Sequence, residues 1–310
     1  MKVAWISYLD CQVFDGGGEL TQRRVIAAGR ERGHEISESA FLRHRPQRAL
    51  RRSGLLRSLR VDWSADVFVL ANILNCPQLA QRMPQTLIDR ALQTGRVVTW
   101  QDAWVDICPL DVPCGGDRSV CPTECDRSFS TAVFGAAAAA VFGSPMHRDI
   151  AAAVLDVPLP EDVLLVRPVV DPDRFCPREL ERDIDVLYVG RISADKGYYE
   201  LLERFGADRL TLAGSNDLGH PVEGHHVGLV TQDALPALYN RAHTFAHLPR
   251  WHEPQGRTVV EAALCGCELV TNERVGVTSY PREVWSDAKT IRSHPARIWD
   301  ELEQVAARLS

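Results

Sequence analysis

The sequence predicts an α/β fold with parallel β-sheets. Throughout the 310 residues, short apolar segments alternate with stretches in which apolar residues recur at helical spacing. This alternation is typical of β–α–β units, in which a helix connects two parallel strands. The chain is also too long for one comfortable core and suits two domains of about 150 residues each.

The first half of the chain contains several predicted strands. They are VAWISY (3–8), DVFVLANI (66–73), RVVTW (96–100) and VLLVRP (163–168). A glycine turn after the first strand leads into a predicted helix over 19–33, which ends at a glycine as helices often do. The alanine-rich segment 136–144 is predicted to carry the end of one helix into another.

The second half repeats this rhythm after a segment rich in proline and charge, 170–183, which we interpret as a linker. The predicted strands are DVLYVG (185–190), RLTLAG (209–214), TFAHLP (244–249) and CELVTN (267–272). The predicted helices are 197–205, 234–242, 257–264 and 299–309. The sequence therefore predicts two Rossmann-like domains, 1–169 and 170–310, facing each other across a cleft at the carboxyl ends of their strands.

The composition argues against a membrane span and against a polyanion partner for the chain as a whole. The net charge is -6 and the pI about 5.9, and no apolar run approaches the roughly 18 residues of a spanning helix. The N-terminus lacks the features of a signal peptide, and nine cysteines do not suggest a disulfide framework. We expect a cytoplasmic protein, or one that lies peripherally on a membrane.

Two loops carry features suited to phosphate. In DGGG (15–18), glycines between a strand and a helix let backbone N–H groups approach an anion, although a tight turn explains them equally well. In GRISADKG (190–197), Arg191 and Lys196 follow a strand, at the edge where ligands bind in such sheets. Two cations there could neutralise a diphosphate, or they could belong to a solvated turn.

The segment EPQGRTVVE places two carboxylates eight positions apart. Pro254 and Gly256 keep its start irregular, so we expect Glu253 in a loop and a helix that begins near Gly256. Glu261 then lies in the helix, about 7 Å along the axis from Gly256. Carboxylates at the two ends suit a sugar and a ribose, because each can accept hydrogen bonds from neighbouring hydroxyls.

Taken together, these motifs resemble a known enzyme family. LYVGRISADKG followed by HLPRWHEPQGRTVVEAALCGCELVTN resembles the C-terminal domain of the retaining glycosyltransferases of the E-x7-E group, which have the GT-B fold. The glycine loop, the RERGHEI helix end and the VVDPDRF linker resemble the same enzymes, so the resemblance covers most of the chain. It implies transfer of a sugar from a UDP- or GDP-sugar to a hydroxyl acceptor, by a front-face mechanism with no catalytic metal.

The resemblance also implies a role for each matching residue. Arg191 and Lys196 would bind the donor diphosphate, Glu253 the sugar hydroxyls and Glu261 the ribose. Further donor contacts are implied for Gly17, Gly18, Gly214, Val227, Gly256, Arg257 and Thr258. The sequence departs from the family at Gln101–Asp102, where many relatives have a His–Asp pair. Gln101 would then position the sugar without a titratable group.

Two other functions are compatible with the same fold. A catalytically degenerate GT-B module could bind a nucleotide sugar as a sensor or scaffold. The sugar-nucleotide epimerases share the fold but lack the combination of GRxxxxKG with E-x7-E that is present here.

A proline- and glycine-rich loop, 108–125, contains a group of cysteines. They are Cys108, Cys114, Cys121 and Cys125. Four thiols could bind a structural zinc and stabilise an irregular loop, with an iron–sulfur cluster as the second choice. The spacing lacks the usual paired C-x2-C, so free or partly disulfide-bonded thiols are the alternative.

The segment 41–60 is rich in arginine although the protein is acidic overall. Its arginines are Arg43, Arg45, Arg48, Arg51, Arg52, Arg57 and Arg60. A solvated basic helix is one interpretation. The interleaved leucines also suit an interfacial helix on anionic lipid, and the same charges could hold DNA that carries a hydroxylated base as the acceptor.

Overall fold

The fold consists of two compact units, each built on one parallel sheet as the sequence predicts. The computed structural model describes residues 1–42, 61–73, 85–104, 106–108, 112, 114–121 and 127–309. The N-terminal unit comprises Met1–Gly143, Arg148–Val169 and His294–Ser310. The C-terminal unit comprises Ser144–His147 and Val170–Ser293.

The N-terminal unit has a six-stranded sheet. Its strands are β1 Lys2–Leu9, β2 Glu35–Leu42, β3 Val67–Ala71, β4 Val97–Gln101, β5 Ala139–Phe142 and β6 Asp162–Leu165. They are arranged in the order β2-β1-β3-β4-β5-β6, and every described pairing is parallel. The described helices that begin before residue 170 are α1 Gly17–Glu31, α2 Gln85–Gln93, α3 Ser128–Ala136 and α4 Pro145–Val154.

Both faces of this sheet are covered, which explains why its strands are nearly continuous apolar runs. Every residue of β3 and β4 is buried. Trp5 and Trp100 belong to the same core cluster, and their ring centroids are 5.0 Å apart. These aromatic side chains therefore anchor β1 and β4, whose carboxyl ends lead into the glycine loop and Asp102 respectively.

The strand β5 lies where the sequence predicts a junction of two helices, and that part of the prediction is wrong. Its residues pair with β4 and β6 and are all buried. Alanine favours a helix locally, but the conformation of a short segment that lies between two strands is determined by its pairing with them. The predicted strands also omit β2, whose sequence EISESAFL is rich in polar residues.

The C-terminal unit has a five-stranded parallel sheet. Its strands are β7 Ile184–Val189, β8 Leu210–Ala213, β9 His225–Gly228, β10 Ala242–His247 and β11 Glu268–Thr271. They are arranged in the order β11-β10-β7-β8-β9. The remaining helices are α5 Tyr198–Phe205, α6 Leu235–Arg241, α7 Arg257–Leu264, α8 Arg282–Ser286 and α9 Ala288–Leu309.

The last helix, α9, changes the predicted domain division. The sequence assigns all of 170–310 to the second domain, whereas the structure places residues 294–310 in the N-terminal unit. Trp299 is fully buried in the core of that unit, and its Nε1 donates a hydrogen bond to the carbonyl of Val25 at 2.7 Å. An amphipathic pattern shows that a helix buries one face, but it does not show which sheet the helix covers.

Candidate functional site

The candidate site of the C-terminal unit lies at the carboxyl ends of β7 and β10, which are neighbours in the sheet. The loop after β7 carries Lys196 and the loop after β10 carries Glu253. Lys196 Nζ is 2.5 Å from Glu253 Oε2, and the two side chains are only 16% and 19% exposed. The ammonium also lies 4.0 Å from the ring centroid of Trp251, within cation–π distance. The structure thus brings two predicted site residues into one largely buried ion pair.

Electrostatics keep Glu253 ionised. Burial alone would raise the pKa of Glu253, but the Lys196 ammonium and His247 outweigh it and hold this pKa well below its usual range. His247 is the last residue of β10, is 3% exposed, and places Nε2 3.6 Å from Glu253 Oε2. Its ring stacks on Tyr188 with centroids 5.8 Å apart. At neutral pH Glu253 is therefore a hydrogen-bond acceptor and not a proton donor.

His247 is a site residue that the sequence analysis missed. The only sequence signal for His247 is its position near the carboxyl end of the predicted strand 244–249, because a buried strand is usually apolar there. Such a signal has no specificity by itself, because a buried histidine is compatible with an ordinary core position.

A second loop fixes the backbone of Glu253. Its N–H donates to the carbonyl of Arg274 at 2.8 Å, and its carbonyl accepts from the N–H of Gly276 at 2.8 Å. Glu253 and Val275 therefore form a short parallel bridge outside the main sheet. The carboxylate is held both by this backbone pairing and by Lys196, so its position does not depend on one flexible side chain.

Gly256 forms the turn from this loop into α7. Its φ is +90°, in the left-handed region that glycine adopts readily, and a Cβ there would lie 2.5 Å from Val275 Cγ1. The helix begins at Arg257, where the sequence predicts it. Backbone N–H groups in the first turn of a helix point out of its N-terminal end, which is the arrangement expected for phosphate contacts at Arg257 and Thr258. Those contacts stay predictions.

Glu261 has different surroundings from Glu253. It lies in α7 and is 1% exposed, with Oε1 2.7 Å from Arg257 Nε and Oε2 3.1 Å from the hydroxyl of Tyr239. Burial raises the pKa of Glu261, while Arg257 and Tyr239 oppose that rise. Each oxygen can accept further hydrogen bonds, so a ribose contact stays a prediction. It requires access to a carboxyl group that is nearly fully buried here.

Arg191 follows β7 and is more accessible. Its side chain is 49% exposed, with one terminal nitrogen 2.7 Å from Asp195 Oδ2 and Nε 3.9 Å from Asp217 Oδ2. Exposed ion pairs contribute only about 0–1 kcal/mol, so an incoming phosphate can compete with these carboxylates. The loop itself is tied down, because the Tyr188 hydroxyl donates to the Arg191 carbonyl at 2.8 Å.

The region predicted to receive the base lies at the end of β8 and along β9. The Gly214 N–H donates to the carbonyl of Gly228 at 2.8 Å, and His226 Nε2 lies 2.9 Å from the Gly214 carbonyl oxygen. Val227 is 39% exposed and Leu229 is 82% exposed. Exposed apolar side chains next to backbone polar groups suit the face and edge of a base, and this contact stays a prediction.

In the N-terminal unit, the glycine loop meets the end of β4. Gly17 and Gly18 begin α1, and a Cβ at Gly18 would lie 2.8 Å from Asp102 Cβ. This close approach gives a packing reason for glycine at position 18, in addition to the predicted contact with diphosphate.

Asp102 is held by three side-chain donors. Oδ2 accepts from Gln22 Nε2 at 2.6 Å and from Asn72 Nδ2 at 3.2 Å, and Oδ1 accepts from Trp100 Nε1 at 2.9 Å. Burial raises the pKa of Asp102 to about 7; the Gln22 hydrogen bond opposes this rise and the charge of Glu19 adds to it. Asp102 is therefore the predicted site residue of this unit whose charge changes near neutral pH.

Gln101 has a different environment from Asp102. It is 1% exposed, and its Nε2 lies 3.3 Å from Asp106 Oδ2. Asp102 thus contacts the glycine loop, whereas the side-chain amide of Gln101 is directed at the buried carboxylate of Asp106. A sugar contact by Gln101 stays a prediction.

Comparison with known proteins gives structural but no sequence matches. No protein-family profile and no curated sequence matches the chain. A sucrose-phosphate synthase from Thermosynechococcus elongatus is similar with a TM-score of 0.64 and 14% identity, over 99% of this chain and 94% of that chain. HepE from Anabaena, in complex with UDP-glucose, is similar with a TM-score of 0.59 and 14% identity, over 100% and 93%. An alpha-glucosyltransferase in complex with UDP and a 13-mer DNA is similar with a TM-score of 0.55 and 11% identity, over 99% and 90%.

The chain has the GT-B fold. The predicted fold class is confirmed, because these glycosyltransferase structures match the two parallel sheets and their helices over nearly the whole chain. At such low identity the likeness establishes the fold and not the activity.

Two predicted features fall partly or wholly outside the described residues. Cys108 is buried, Cys114 and Cys121 are half-buried, and these three cysteines form no disulfide, whereas Cys125 lies outside the described residues. Within the described ranges, no group of three or more His, Cys, Asp or Glu residues could hold a metal ion, so the zinc prediction has no support there. The segment with Arg43, Arg45, Arg48, Arg51 and Arg52 also lies outside the description. No helix in the described part of the chain is long and apolar enough to cross a membrane.

Proposed function

We propose that this chain is a glycosyltransferase that moves a sugar from a nucleotide-sugar donor to a hydroxyl acceptor, with retention at the anomeric carbon. The Lys196–Glu253 ion pair carries the proposal, because it lies at the carboxyl edge of a parallel sheet, where ligands bind in such folds. HepE and the alpha-glucosyltransferase share the fold and bind UDP-glucose or UDP, which makes UDP-sugars the first donors to test, ahead of GDP-sugars.

In the proposed complex, Arg191 and Lys196 neutralise the donor diphosphate. The planar guanidinium can meet two phosphate oxygens at once, and the ammonium acts as a point charge. Negative charge grows on the leaving diphosphate as the glycosidic bond breaks, and fixed cations at that position stabilise the transition state. We propose that these side chains take the role that a catalytic metal has in other transferases.

Glu253 holds hydroxyls of the donor sugar in this proposal. Because Lys196 and His247 keep its carboxyl group ionised, it can accept hydrogen bonds but has no proton to give. Deprotonation of the acceptor then falls to the leaving diphosphate, on the face of the sugar from which it departs, and the product keeps the configuration of the donor. Glu261 is proposed to contact the ribose.

A transfer assay on the purified chain tests the proposal. Release of nucleoside diphosphate from UDP-glucose and related donors is measured for the wild type, Lys196→Ala and Glu253→Ala. Each variant is expected to lose about 100-fold or more in turnover, in line with the loss of one transition-state contact. The exposed Lys289→Ala and Glu283→Ala in the same unit serve as matched controls and should keep full activity. Full activity in both site variants would exclude the proposal.

The same assay separates the alternatives. A degenerate module binds the nucleotide sugar but neither transfers nor hydrolyses it. An epimerase converts the sugar while it stays attached to the nucleotide, so a new sugar appears without a transferred product.

The acceptor is proposed to be anionic, either a lipid-linked glycan or a hydroxylated DNA base. The DNA alternative is supported by the alpha-glucosyltransferase structures, which contain a 13-mer DNA, in one of them with an HMU base. Salt-sensitive binding to duplex DNA, compared with cosedimentation on anionic liposomes, distinguishes the two. Metal analysis of the same sample tests the structural zinc at Cys108, Cys114, Cys121 and Cys125.

A further inference from the structure

We propose that His247 replaces Lys196 as the counter-ion of Glu253 when a nucleoside diphosphate binds, so that binding takes up a proton from solvent. The inference rests on the proposed function, because it assumes that Lys196 contacts the diphosphate. It adds a positioning residue and a proton linkage that neither the sequence motifs nor the fold imply.

The first observation is the state of the His247 ring. The residue is 3% exposed, and both ring nitrogens are buried without a hydrogen-bond partner. A buried polar group without a partner destabilises the fold, so two such atoms on one ring require compensation elsewhere. Nε2 lies 3.6 Å from Glu253 Oε2, which is an ion-pair distance but longer than a direct hydrogen bond. The ring is thus close enough to pair with Glu253 once it carries a charge.

The second observation is that Lys196 already forms an ion pair with Glu253. Its Nζ lies 2.5 Å from the same Oε2, so its charge is neutralised by Glu253 before any ligand arrives. A diphosphate that draws the ammonium towards itself weakens this neutralisation in a site where the carboxylate is only 19% exposed. A buried charge that loses its partner is strongly destabilising, which creates a demand for a new positive charge near Glu253.

The described neighbours of the ring on β7 and β11 supply no positive charge. On β7, Tyr188 stacks on His247, and its phenol stays neutral because burial and the negative charge of Glu253 raise its pKa. On β11, the residue in register with His247 is the uncharged Thr271. Arg191 and Asp195 act on Tyr188 from the loop after β7, and Asp195 is paired with Arg191. In the described part of the chain, Glu253 is the carboxylate within ion-pair distance of His247.

The proton balance follows from these contacts. A neutral imidazole gains one proton from solvent and becomes an imidazolium that faces Glu253, which stays ionised throughout. Release of the nucleoside diphosphate returns the ammonium to Glu253 and the proton to solvent.

Isothermal titration calorimetry of the full chain tests this linkage. UDP, GDP and ADP are titrated at about pH 7.5 in several buffers that differ in ionisation enthalpy. The dependence of the binding enthalpy on buffer gives the number of protons exchanged. The wild type is expected to take up about half a proton or more beyond the value for His247→Gln, which cannot be protonated. Because the same ligand is used for both proteins, any proton that the ligand itself releases drops out of the difference between the wild type and His247→Gln. The exposed His243 on the same strand supplies the matched control, since His243→Gln should behave as the wild type.

The outcomes are distinguishable. If a nucleoside diphosphate binds and the wild type and His247→Gln exchange the same number of protons, this inference is wrong and the proposed function stands. If none of the three ligands binds, both fall. Should His247→Gln fail to fold by circular dichroism, nitrogen-15 chemical shifts of the wild-type ring decide the question. They should move towards imidazolium values when the ligand that binds is added, and unchanged shifts would overturn the inference.

Discussion

Replacement of Lys196 by methionine should destabilise the C-terminal unit, and most strongly at alkaline pH. The substitution removes the ammonium, and with it the cation–π contact with Trp251, but keeps most of the length of the side chain. Loss of one partner from a fully buried ion pair costs about 3–5 kcal/mol. Because the two side chains are 16% and 19% exposed, solvent takes up part of that cost, and we expect a loss on the order of 2–3 kcal/mol.

The pH dependence follows from the pKa of Glu253. In the wild type this pKa is depressed in the folded state, so the stability it contributes is complete above the unfolded value of about 4.3 and constant across neutral pH. Without Lys196, burial is the largest remaining effect on the pKa of Glu253, and it acts to raise this pKa against the influence of His247. The variant then gains stability as the Glu253–His247 pair takes up a proton on acidification. The difference between variant and wild type should therefore shrink from pH 8.5 towards about pH 5.5.

Urea denaturation followed by far-ultraviolet circular dichroism, repeated across that pH range, measures this difference. Lys289→Met, at an exposed position of the same unit, is the matched control. The double variant Lys196→Met with Glu253→Gln should recover much of the lost stability, since no buried carboxylate is left without a partner. A loss below about 0.5 kcal/mol, or a loss that stays equal at all pH values, would refute the reasoning, because the pair would then behave as an exposed one.

Three further predictions concern stability. Burial raises the pKa of Asp102 to about 7 from an unfolded value near 3.9, so the folded protein binds more protons than the unfolded chain between these values. The free energy of unfolding should therefore fall as pH rises from about 4 to 7. Asp102→Asn should remove that slope in denaturation curves measured against pH. Trp299→Ala should lower the free energy of unfolding in urea by about 3–5 kcal/mol, because it empties a buried site and leaves the Val25 carbonyl without its indole donor. A loss below about 1 kcal/mol would contradict the packing of α9. Gly256→Ala should lower the melting temperature, because the new Cβ meets Val275 at 2.5 Å in a backbone conformation that alanine disfavours; an unchanged melting temperature would show that the loop shifts freely.

Part of the candidate site follows from the sequence alone. Lys196 and Glu253 each come directly after a predicted strand, and the carboxyl ends of parallel strands lie at the same edge of a sheet. That rule places both residues at one edge, but it does not make them neighbours. Their contact at 2.5 Å depends on β7 and β10 being adjacent, and the strand order is set by long-range packing of the whole sheet. The start of α7 was predictable for a local reason, because Gly256 needs the left-handed conformation that ends the loop.

The surroundings of Gln101 and Asp102 could not be predicted from the sequence, because they depend on contacts made only in the folded chain. Gln101 draws attention in the sequence because it stands where a histidine is expected, yet the structure directs its side chain at Asp106. Asp102 looks ordinary in the sequence, but Gly18 packs against it and three donors fix its carboxylate. In this chain, the pH response of the N-terminal unit is therefore expected from Asp102, whose charge changes near neutral pH, and not from the uncharged amide of Gln101.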